Sequence, residues 1–483
     1  MSSATLASKT FNADDQTLFA RLSGDFNPIH MDPLAARRTQ AGTPVVHGMH
    51  VVLWALDRIV ESGAAAEGIS GVKAQFAKFI PVGATVSLKV ARRESGPMRA
   101  EIHLGGLTTI LLSLTLGAPA KGIARAPADA PAVGIPDRPA VLNRPEEAAG
   151  LSGVLDISGP AGSVASRFPH AVAALGTERV AAIVVLSALV GMVCPGLHSI
   201  FAAIALDITE AEDSARRLCF GVSGTDERFR MIRMTVVGAG VSGSVQAFLR
   251  WPPVQQASMA AISGRVTPGE FEGATALIVG ASRGLGALTA KVVAAGGGRV
   301  IATYARGRED AVQLAGEINA HAGREACEII PYDVRGAPDP RLQTRAEDVS
   351  HLYYFASTPI ARQKDGVFAP ALFDEFVEVY VKGFYDCCRF VGERASRSVT
   401  AFYPSTVFVA KVQPGMVEYS MAKAAAEILC EGMNRSAGRV RVVVERLPRL
   451  LTDQTATVPP VAAGDPLEVM LPVIRRVQTF DSI

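Results

Sequence analysis

The stretch TALIVGASRGLGALTAKVVAAGGGRVIATYARG, Thr275 to Gly307, decides the fold of the C-terminal part of this chain. It opens on TALIV, an unbroken apolar run typical of a strand buried in a parallel sheet. Gly280, Gly284 and Gly286 follow at the point where this strand ends and an apolar helix begins. Strand, glycine turn, helix and strand in this order predict an α/β doubly wound parallel sheet of the Rossmann type. Its helix N-terminus and small loop residues suit a dinucleotide pyrophosphate.

Further motifs follow this loop in a fixed order. Asp333 lies in PYDV, Ser405 and Thr406 close a predicted strand, and the segment YSMAK contains Tyr419 and Lys423. A spacing of four places Tyr419 and Lys423 on one helix face, where the ammonium favours the tyrosinate by proximity. This ordered set resembles the short-chain dehydrogenase/reductase family.

The resemblance implies an NADP(H) cofactor and a hydride-transferring site. Arg306, with Arg283 inside the loop, favours NADPH over NADH because guanidinium groups pair with the 2'-phosphate. The catalytic hydroxyl belongs to Ser405 by residue type or to Thr406 by its thirteen-residue distance from Tyr419, and Ser405 is preferred. The residues expected to contact the cofactor are Gly280, Ser282, Arg283, Gly284, Leu285, Gly286, Arg306, Asp333, Val334, Ala356, Tyr419, Lys423 and Thr452.

The chain also departs from the family pattern. Phe355, Ala356 and Ser357 replace the last three residues of an Asn-Asn-Ala-Gly motif, and Tyr380 replaces the asparagine of a proton relay. Arg449 replaces a glycine before Thr452. These changes affect expected turnover more than expected cofactor binding.

A second chemistry is indicated near the other end, in SGDFNPIHMDP, Ser23 to Pro33. The Asn27-Pro28 pair favours a turn over a helix, so that Asp25 and His30 converge on one point. A carboxylate and an imidazole there supply the general acid and base for adding or removing water across a double bond. Gly48, in HGM, is expected at a helix N-terminus, where a free N–H polarises a thioester carbonyl.

The string SGDFNPIHMD followed by VVHGM resembles the MaoC-like (R)-specific enoyl-CoA hydratases and 3-hydroxyacyl dehydratases, which have the hot-dog fold. By this resemblance Asp25 and His30 perform acid–base catalysis, Gly48 forms the oxyanion contact, and Asn27 and Ser23 are supports. Double hot-dog members pair an active half with an inactive one.

The predicted architecture is therefore an α+β tandem hot-dog followed by the α/β domain. We place the first hot-dog at residues 1–117, a Pro/Ala-rich linker at 118–149, a second, degenerate hot-dog at 150–262 and the dehydrogenase domain at 268–483. The second half is inferred from a match of Val45–Ile59 to Val193–Ile208, both taken as helices, and from later strand segments with glycines. His198, in this match, is expected to be a core residue and not a catalyst.

Composition limits the other functions. With 48 basic and 46 acidic residues and no basic run with aromatics, nucleic acid is not an expected partner. The six cysteines form no CxxC pair, so reduced core thiols and no metal site are predicted. The N-terminus shows no signal peptide, and the uncharged run Ile183–Leu206 is interpreted as a buried strand-to-helix element, so a cytoplasmic protein without membrane contact is expected. Hot-dog and dehydrogenase families usually self-associate, which suggests a homodimer, whereas a tandem hot-dog can also satisfy its pairing within one chain.

Three functional hypotheses follow from the sequence. The first is a bifunctional enzyme that acts on an acyl-CoA or acyl carrier protein thioester, either reducing and dehydrating it or running in reverse. The second keeps only the hydratase as an enzyme and treats the dehydrogenase domain as a binding module. The third makes the chain an acyl-carrier docking scaffold.

Overall fold

The computed structural model describes residues 5–91, 96–121, 130–210, 216–360 and 366–480. The chain forms two compact units. The first comprises residues 1–252 and 457–461, and the second comprises residues 253–456 and 462–483.

The first unit consists of two halves with the same order of elements. The first half contains β1 (Thr5–Thr10), α1 (Ala13–Ser23), α2 (Pro28–Met31), α3 (Pro33–Arg37), α4 (Gly48–Glu61), β2 (Ile69–Phe76), β3 (Thr85–Ala91), β4 (Met98–Leu104) and β5 (Leu107–Leu116). The second half contains β6 (Ser152–Asp156), α5 (Ser158–Ala161), α6 (Val164–Arg167), α7 (Pro169–Leu175), α8 (Thr177–Ala188), which continues as a π-helix (Leu189–Val193), and then β7 (Ser199–Ile208), β8 (Arg217–Asp226), β9 (Met231–Gly238) and β10 (Val241–Leu249).

One antiparallel sheet joins the two halves in the order β1-β3-β4-β5-β2-β7-β10-β9-β8-β6. The order is mirrored about the central β2–β7 pair, so each half contributes five strands and one long apolar helix. These helices, α4 and α8, contact each other, and their side chains belong to one shared core. This arrangement is a double hot-dog, which confirms the predicted fold class.

The predicted register of the repeat is wrong. Val193–Ile208 does not correspond to the helix at Val45–Ile59, because most of it forms β7, which occupies the sheet position of β2. Likewise Ile183–Leu206 runs from helix to strand, the reverse of the prediction. An uninterrupted apolar run does not distinguish a buried strand from a buried helix.

Within the described residues, no single helix has both the length and the apolar character needed to cross a membrane. One bent pair, Pro169–Leu175 with Thr177–Val193, meets the length and composition criteria at an angle of 117°.

The predicted linker is packed along the second half where the structure describes it. Val133 and Val154 form a backbone hydrogen bond of 2.8 Å, and a short 3-10 helix spans Pro145–Ala148. The Ala140 carbonyl accepts a hydrogen bond from Leu197, close to the active-site region described below. In its described residues the segment is hydrogen-bonded to the second half, whereas the sequence predicted an extended linker.

The second unit is a six-stranded parallel sheet with helices. Its elements are α9 (Met259–Ser263), β11 (Thr275–Val279), α10 (Gly284–Ala295), β12 (Arg299–Tyr304), α11 (Arg308–Ala322), β13 (Cys327–Pro331), α12 (Pro340–Arg345), β14 (His351–Tyr354), α13 (Pro370–Val377), a π-helix (Glu378–Gly383), α14 (Phe384–Arg394), β15 (Val399–Thr406), α15 (Val417–Arg435), β16 (Val440–Leu447) and α16 (Pro466–Gln478). The strands lie in the order β13-β12-β11-β14-β15-β16. The chain adds β12 and β13 on one side of β11 and then β14, β15 and β16 on its other side, so the order of addition changes sides between β11 and β14. Ligands of open parallel sheets bind at the carboxyl ends of the strands beside such a reversal.

The boundary between the two units differs from the predicted one. The predicted second hot-dog ends at residue 262, inside α9, but Met259 and Ile262 lie in the core of the second unit.

All six cysteines lie in the described residues, and all are buried and unbridged.

Candidate active sites

The acid–base motif of the first unit is built by consecutive helix caps. The capping residue Gly24 ends α1 with a left-handed φ of 79° and turns the chain toward Asp25. Asn27 then caps α2 by accepting a hydrogen bond from the Ile29 N–H at 3.1 Å. His30 therefore lies in one helical turn, where the sequence predicted only a turn.

This turn brings Asp25 and His30 together. A carboxylate oxygen of Asp25 lies 4.0 Å from Nε2 of His30, and Asp25 is 2% exposed. Nδ1 of His30 lies 2.7 Å from the Val45 carbonyl. Because a carbonyl only accepts, Nδ1 donates, and Nε2 is the ring nitrogen that faces Asp25.

Burial and hydrogen bonds act on the Asp25 carboxyl in opposite directions. Burial raises the pKa of the Asp25 carboxyl, and the charge of His30 with hydrogen bonds from Ser187 and Asn27 offsets part of this effect. The pair thus places a buried carboxyl of raised pKa beside His30 Nε2. A buried carboxyl and a free imidazole nitrogen are the groups that water addition and removal need.

His47 is a third member of this cluster that the sequence interpretation missed. Its ring stacks on His30 with centroids 3.9 Å apart, and its Nε2 donates to the Asp25 carbonyl at 3.0 Å. Burial holds the pKa of His47 well below its usual range. Donor atoms of Asp25, His30 and His47 lie within 4.8 Å of one another, a separation that would also suit a cation. We assign proton transfer because His47 Nε2 is already bound to the backbone.

Gly48 is the first residue of α4, as predicted. The first N–H groups of a helix have no carbonyl partner within it, so they can bind a carbonyl oxygen. A Cβ atom at this position would lie 2.6 Å from the Phe76 ring, so the position excludes side chains. The predicted oxyanion contact therefore has a suitable backbone donor.

The second half completes the site, although it lacks the motif. The Ser187 hydroxyl donates to the Asp25 carboxylate at 2.7 Å, and the Asn27 amide donates to the carbonyls of Gly191 at 2.7 Å and Gly196 at 3.0 Å. A Cβ on Gly191 would lie 2.2 Å from the carboxylate of Asp25. A serine within the apolar helix α8 was the available sequence signal for this role.

Removing the Ser187 hydroxyl is expected to lower hydratase kcat by about 10- to 100-fold, since a hydrogen bond to an ionisable group contributes roughly 1.5–3 kcal/mol. Initial rates of Ser187→Ala with an enoyl thioester measure this effect. Ser166→Ala, at an exposed serine of the same half, is the matched control. A Ser187→Ala rate equal to that of the wild type would show that the second half does not act on Asp25.

His198 is buried, as expected for a core residue, and burial with nearby Arg250 and Arg230 lowers its pKa to about 4. Its backbone carbonyl accepts from Arg250 at 2.7 Å. It lies two residues after Gly196, whose carbonyl binds the Asn27 amide.

In the second unit, the glycine loop fits tightly at the carboxyl end of β11. Gly280 has a φ of 81°, and a Cβ there would lie 2.8 Å from the Phe355 backbone. A Cβ on Gly286 would lie 2.3 Å from the Gly280 carbonyl. Ser282, Arg283 and Leu285 complete the loop and the first turn of α10. The loop therefore presents bare backbone at a helix N-terminus, which fits a dinucleotide pyrophosphate.

The other predicted cofactor contacts lie at the same edge of the sheet. Asp333 and Val334 follow β13, and Ala356 follows β14. Thr452 lies beside the loop, with its methyl carbon 3.9 Å from the Cβ position of Gly284. These residues surround the reversal point between β11 and β14.

The two arginines differ from the prediction. Arg283 is already paired with Asp453 at 2.7 Å and with Asp310 at 3.5 Å. Arg306 is exposed and forms no ion pair within the described parts of the chain. A 2'-phosphate would therefore meet Arg306 as the more available cation, since Arg283 is neutralised by two carboxylates.

The structure separates the two candidate hydroxyls. The Ser405 hydroxyl donates to Glu427, whereas Thr406 offsets part of the rise in the pKa of Tyr419. Because Glu427 holds the serine hydroxyl, the structure favours Thr406 over the predicted Ser405 as the catalytic hydroxyl. Burial raises the pKa of Tyr419, which is the direction opposite to the lowering expected from Lys423.

The departures from the family pattern contact one another. The Ser357 hydroxyl lies 3.0 Å from the Tyr380 hydroxyl, and the Gln454 amide donates to Ser357 at 3.5 Å. Arg449 donates to the Thr455 carbonyl at 2.5 Å, which fixes the loop that holds Thr452. The changes at Ser357 and Tyr380 thus form a matched pair.

Two families match parts of this chain. A MaoC like domain matches residues 2–111, and the short chain dehydrogenase family matches residues 274–458. The chain thus combines a MaoC-like domain at its N-terminus with a short-chain dehydrogenase domain at its C-terminus.

Individual relatives match shorter segments. The (R)-specific enoyl-CoA hydratase of Aeromonas caviae is 52% identical over 42 residues, 9% of this chain and 31% of that protein. The 3-hydroxyacyl-thioester dehydratase Y of Mycobacterium tuberculosis is 36% identical over 86 residues, 17% of this chain and 30% of that protein. The chain therefore matches less than a third of the length of each relative.

Among solved structures, a short chain dehydrogenase from Burkholderia cenocepacia in complex with NADP is 22% identical. The match covers 44% of this chain and 95% of that one, with a TM-score of 0.38.

Proposed function

We propose that this protein is a bifunctional enzyme of acyl-thioester metabolism. Its second unit reduces a 3-oxoacyl thioester with NADPH, and its first unit removes water from the resulting (R)-3-hydroxyacyl group. The observation that supports the proposal most strongly is the pairing of the buried Asp25, whose pKa is raised by burial, with His30 Nε2 beside the N-terminus of α4. The two reactions are consecutive, so one chain produces and consumes the same hydroxyacyl group.

In the dehydration, His30 Nε2 removes the proton from C2 of the acyl chain. The electrons form the C2–C3 double bond while the C3 hydroxyl leaves with the Asp25 proton as water. The Gly48 N–H stabilises the negative charge that develops on the thioester oxygen. In hydration the same groups act in reverse: Asp25 accepts a proton from water and His30 returns one to C2.

In the reduction, the chain's own residues bind and protonate. The nicotinamide cofactor supplies a hydride when it is bound. The glycine loop and Thr452 hold the cofactor, while Tyr419 donates a proton to the carbonyl oxygen of the substrate and Thr406 orients it. Lys423 supports Tyr419 from the next turn of α15.

We propose NADPH as the cofactor mainly because of Arg306. Arg306→Ala is expected to raise the KM for NADPH by about 10-fold or more, since a charge-assisted phosphate contact contributes roughly 1.5–3 kcal/mol, and to leave the KM for NADH unchanged. Steady-state kinetics with each nucleotide measure the change. Arg308→Ala, at a neighbouring exposed arginine, is the control. Equal effects on both nucleotides would exclude a phosphate contact at Arg306.

A second candidate keeps only the dehydratase as an enzyme. It is favoured by the raised pKa of Tyr419 and by the replacement of the relay asparagine by Tyr380. In this case the second unit binds nucleotide without turnover.

Two separate assays test the halves of the proposal. A crotonyl thioester without nucleotide should lose its alkene absorbance, and an acetoacetyl thioester should consume NADPH. Absence of the first would refute the hydratase, and absence of the second alone would favour the dehydratase-only candidate.

A further inference from the structure

Lys423 lies in an enclosure of three tyrosine rings, which we call the tyrosine enclosure: Tyr380, Tyr403 and Tyr419. Its ammonium nitrogen is 4.4 Å from the ring centroid of Tyr380, 4.6 Å from that of Tyr403 and 5.9 Å from that of Tyr419. Its hydrogen bond is to the Pro404 carbonyl, at 2.6 Å. The residue is only 4% exposed, so protein groups replace most of its hydration.

Of the three rings in this enclosure, Tyr380 is the one that the family pattern does not predict. It lies in the π-helix Glu378–Gly383, a distortion that often marks functional positions. Its hydroxyl is anchored by Ser357 at 3.0 Å, and its ring packs edge-on against Tyr419 at 5.5 Å. The ring is thus fixed in place over the lysine.

An aromatic face attracts a cation but replaces only part of the hydration that the cation loses. An asparagine at position 380 would be smaller and polar, and it would leave room for water near the amine. In this structure burial lowers the pKa of Lys423 to about 7.

The other groups that face Lys423 do not change this balance between cation–π attraction and lost hydration. Glu427, on the same helix, is paired with Arg446 at 2.6 Å and also binds Ser405. Cys430, on the same helix, has a pKa raised by burial to about 12. Tyr403 from β15 also has a pKa raised by burial. The pKa values of Tyr380 and Tyr419 are likewise raised by burial, so all three phenols are neutral near pH 7.

We propose that Tyr380 is a positioning residue for Lys423, because its ring, held by Ser357 and packed against Tyr419, closes the aromatic enclosure and keeps water from the amine. The proposal rests on the proposed reductase and deepens it. Burial in this enclosure lowers the pKa of Lys423, and a neutral amine no longer stabilises the tyrosinate form of Tyr419, so reductase turnover is expected to decline above neutral pH.

The test compares two substitutions in the full-length protein. Tyr380→Phe keeps the ring and removes the hydroxyl, whereas Tyr380→Asn removes the ring and restores the family residue. The protein is labelled with 13C at lysine Cε, and the resonance of Lys423 is assigned by its loss in Lys423→Met. This resonance is followed from about pH 5 to about pH 11, a range that includes the midpoints of a shifted and an unshifted lysine. Thermal unfolding and circular dichroism establish that each variant is folded.

We expect Lys423 to titrate near neutral pH in the wild type and in Tyr380→Phe, and at least about one pH unit higher in Tyr380→Asn. If Tyr380→Asn fails to fold, Ser357→Ala, which releases the phenol, is measured instead, and a smaller upward shift is expected. Titration of the wild-type amine above about pH 9.5 would overturn the proposal. Equal midpoints in the folded ring-removal variant and the wild type would also overturn it.

Reductase pH profiles of the same proteins separate this proposal from the proposed function. The alkaline limb of kcat is expected to follow the lysine midpoint and to move upward in Tyr380→Asn. If the amine titrates as expected but no protein oxidises NADPH, the enclosure stands and the reductase fails. If NADPH is oxidised with an alkaline limb that Tyr380→Asn does not move, the reductase stands and the role of Tyr380 fails.

Discussion

Asp25→Asn is expected to lower kcat for hydration of an enoyl thioester by about 10²–10⁴-fold, the usual contribution of one general acid–base group. The amide has the shape of the carboxyl and can keep its contact with Ser187, but it can neither accept a proton from water nor return one. The measurement is the initial rate of alkene loss with a crotonyl thioester.

The control for Asp25→Asn is the reductase activity of the same protein. Because Asp25 lies within the first unit and Tyr419 within the second, NADPH oxidation by Asp25→Asn should equal that of the wild type. A hydration rate within about threefold of the wild type would contradict the assignment of Asp25, given the size expected for a proton-transfer group.

Tyr419→Phe is expected to lower kcat for NADPH oxidation by about 10²–10⁴-fold, because the ring stays in the tyrosine enclosure while the proton donor is lost. The nucleotide should still bind, since the glycine loop is unchanged. Stopped-flow absorbance at the nicotinamide band measures turnover, and nucleotide fluorescence measures binding.

Tyr385→Phe, at an exposed phenol on α14, is the matched control and should be fully active. Full activity in Tyr419→Phe would mean that another group protonates the substrate. Loss of nucleotide binding together with activity would instead indicate a structural role for the phenol.

Short sequence patterns predicted the features that depend only on neighbouring residues. The caps around Asn27 and the glycines after β11 depend on neighbouring residues, so their sequence predicted Asp25, His30 and the cofactor loop. The double hot-dog and the parallel sheet also followed from these motifs through family resemblance.

The contacts between distant residues were not predicted. Ser187 reaches Asp25 across 162 residues, and no spacing rule connects them. The repeat was misaligned because β7 is apolar from Ile200 to Leu206, like much of the helix to which it was matched.

Competition for a polar group was equally invisible in the sequence. Glu427 binds Ser405, and Asp453 binds Arg283. Ser405 and Arg283 were therefore assigned roles that these partners restrict. Residue type and spacing predicted which residues lie near one another, but only the fold shows which partner each side chain takes.

The most direct test of the two-step account is one reaction with an acetoacetyl-CoA thioester, NADPH and the full chain, followed by mass spectrometry. The wild type should form hydroxybutanoyl and crotonyl thioesters in the same ratio that it reaches from crotonyl thioester alone. Asp25→Asn should stop at the (R)-3-hydroxybutanoyl thioester, and Tyr419→Phe should leave the substrate unchanged. A wild-type protein that consumes NADPH without forming any crotonyl thioester, or forms none of either product, would contradict the account.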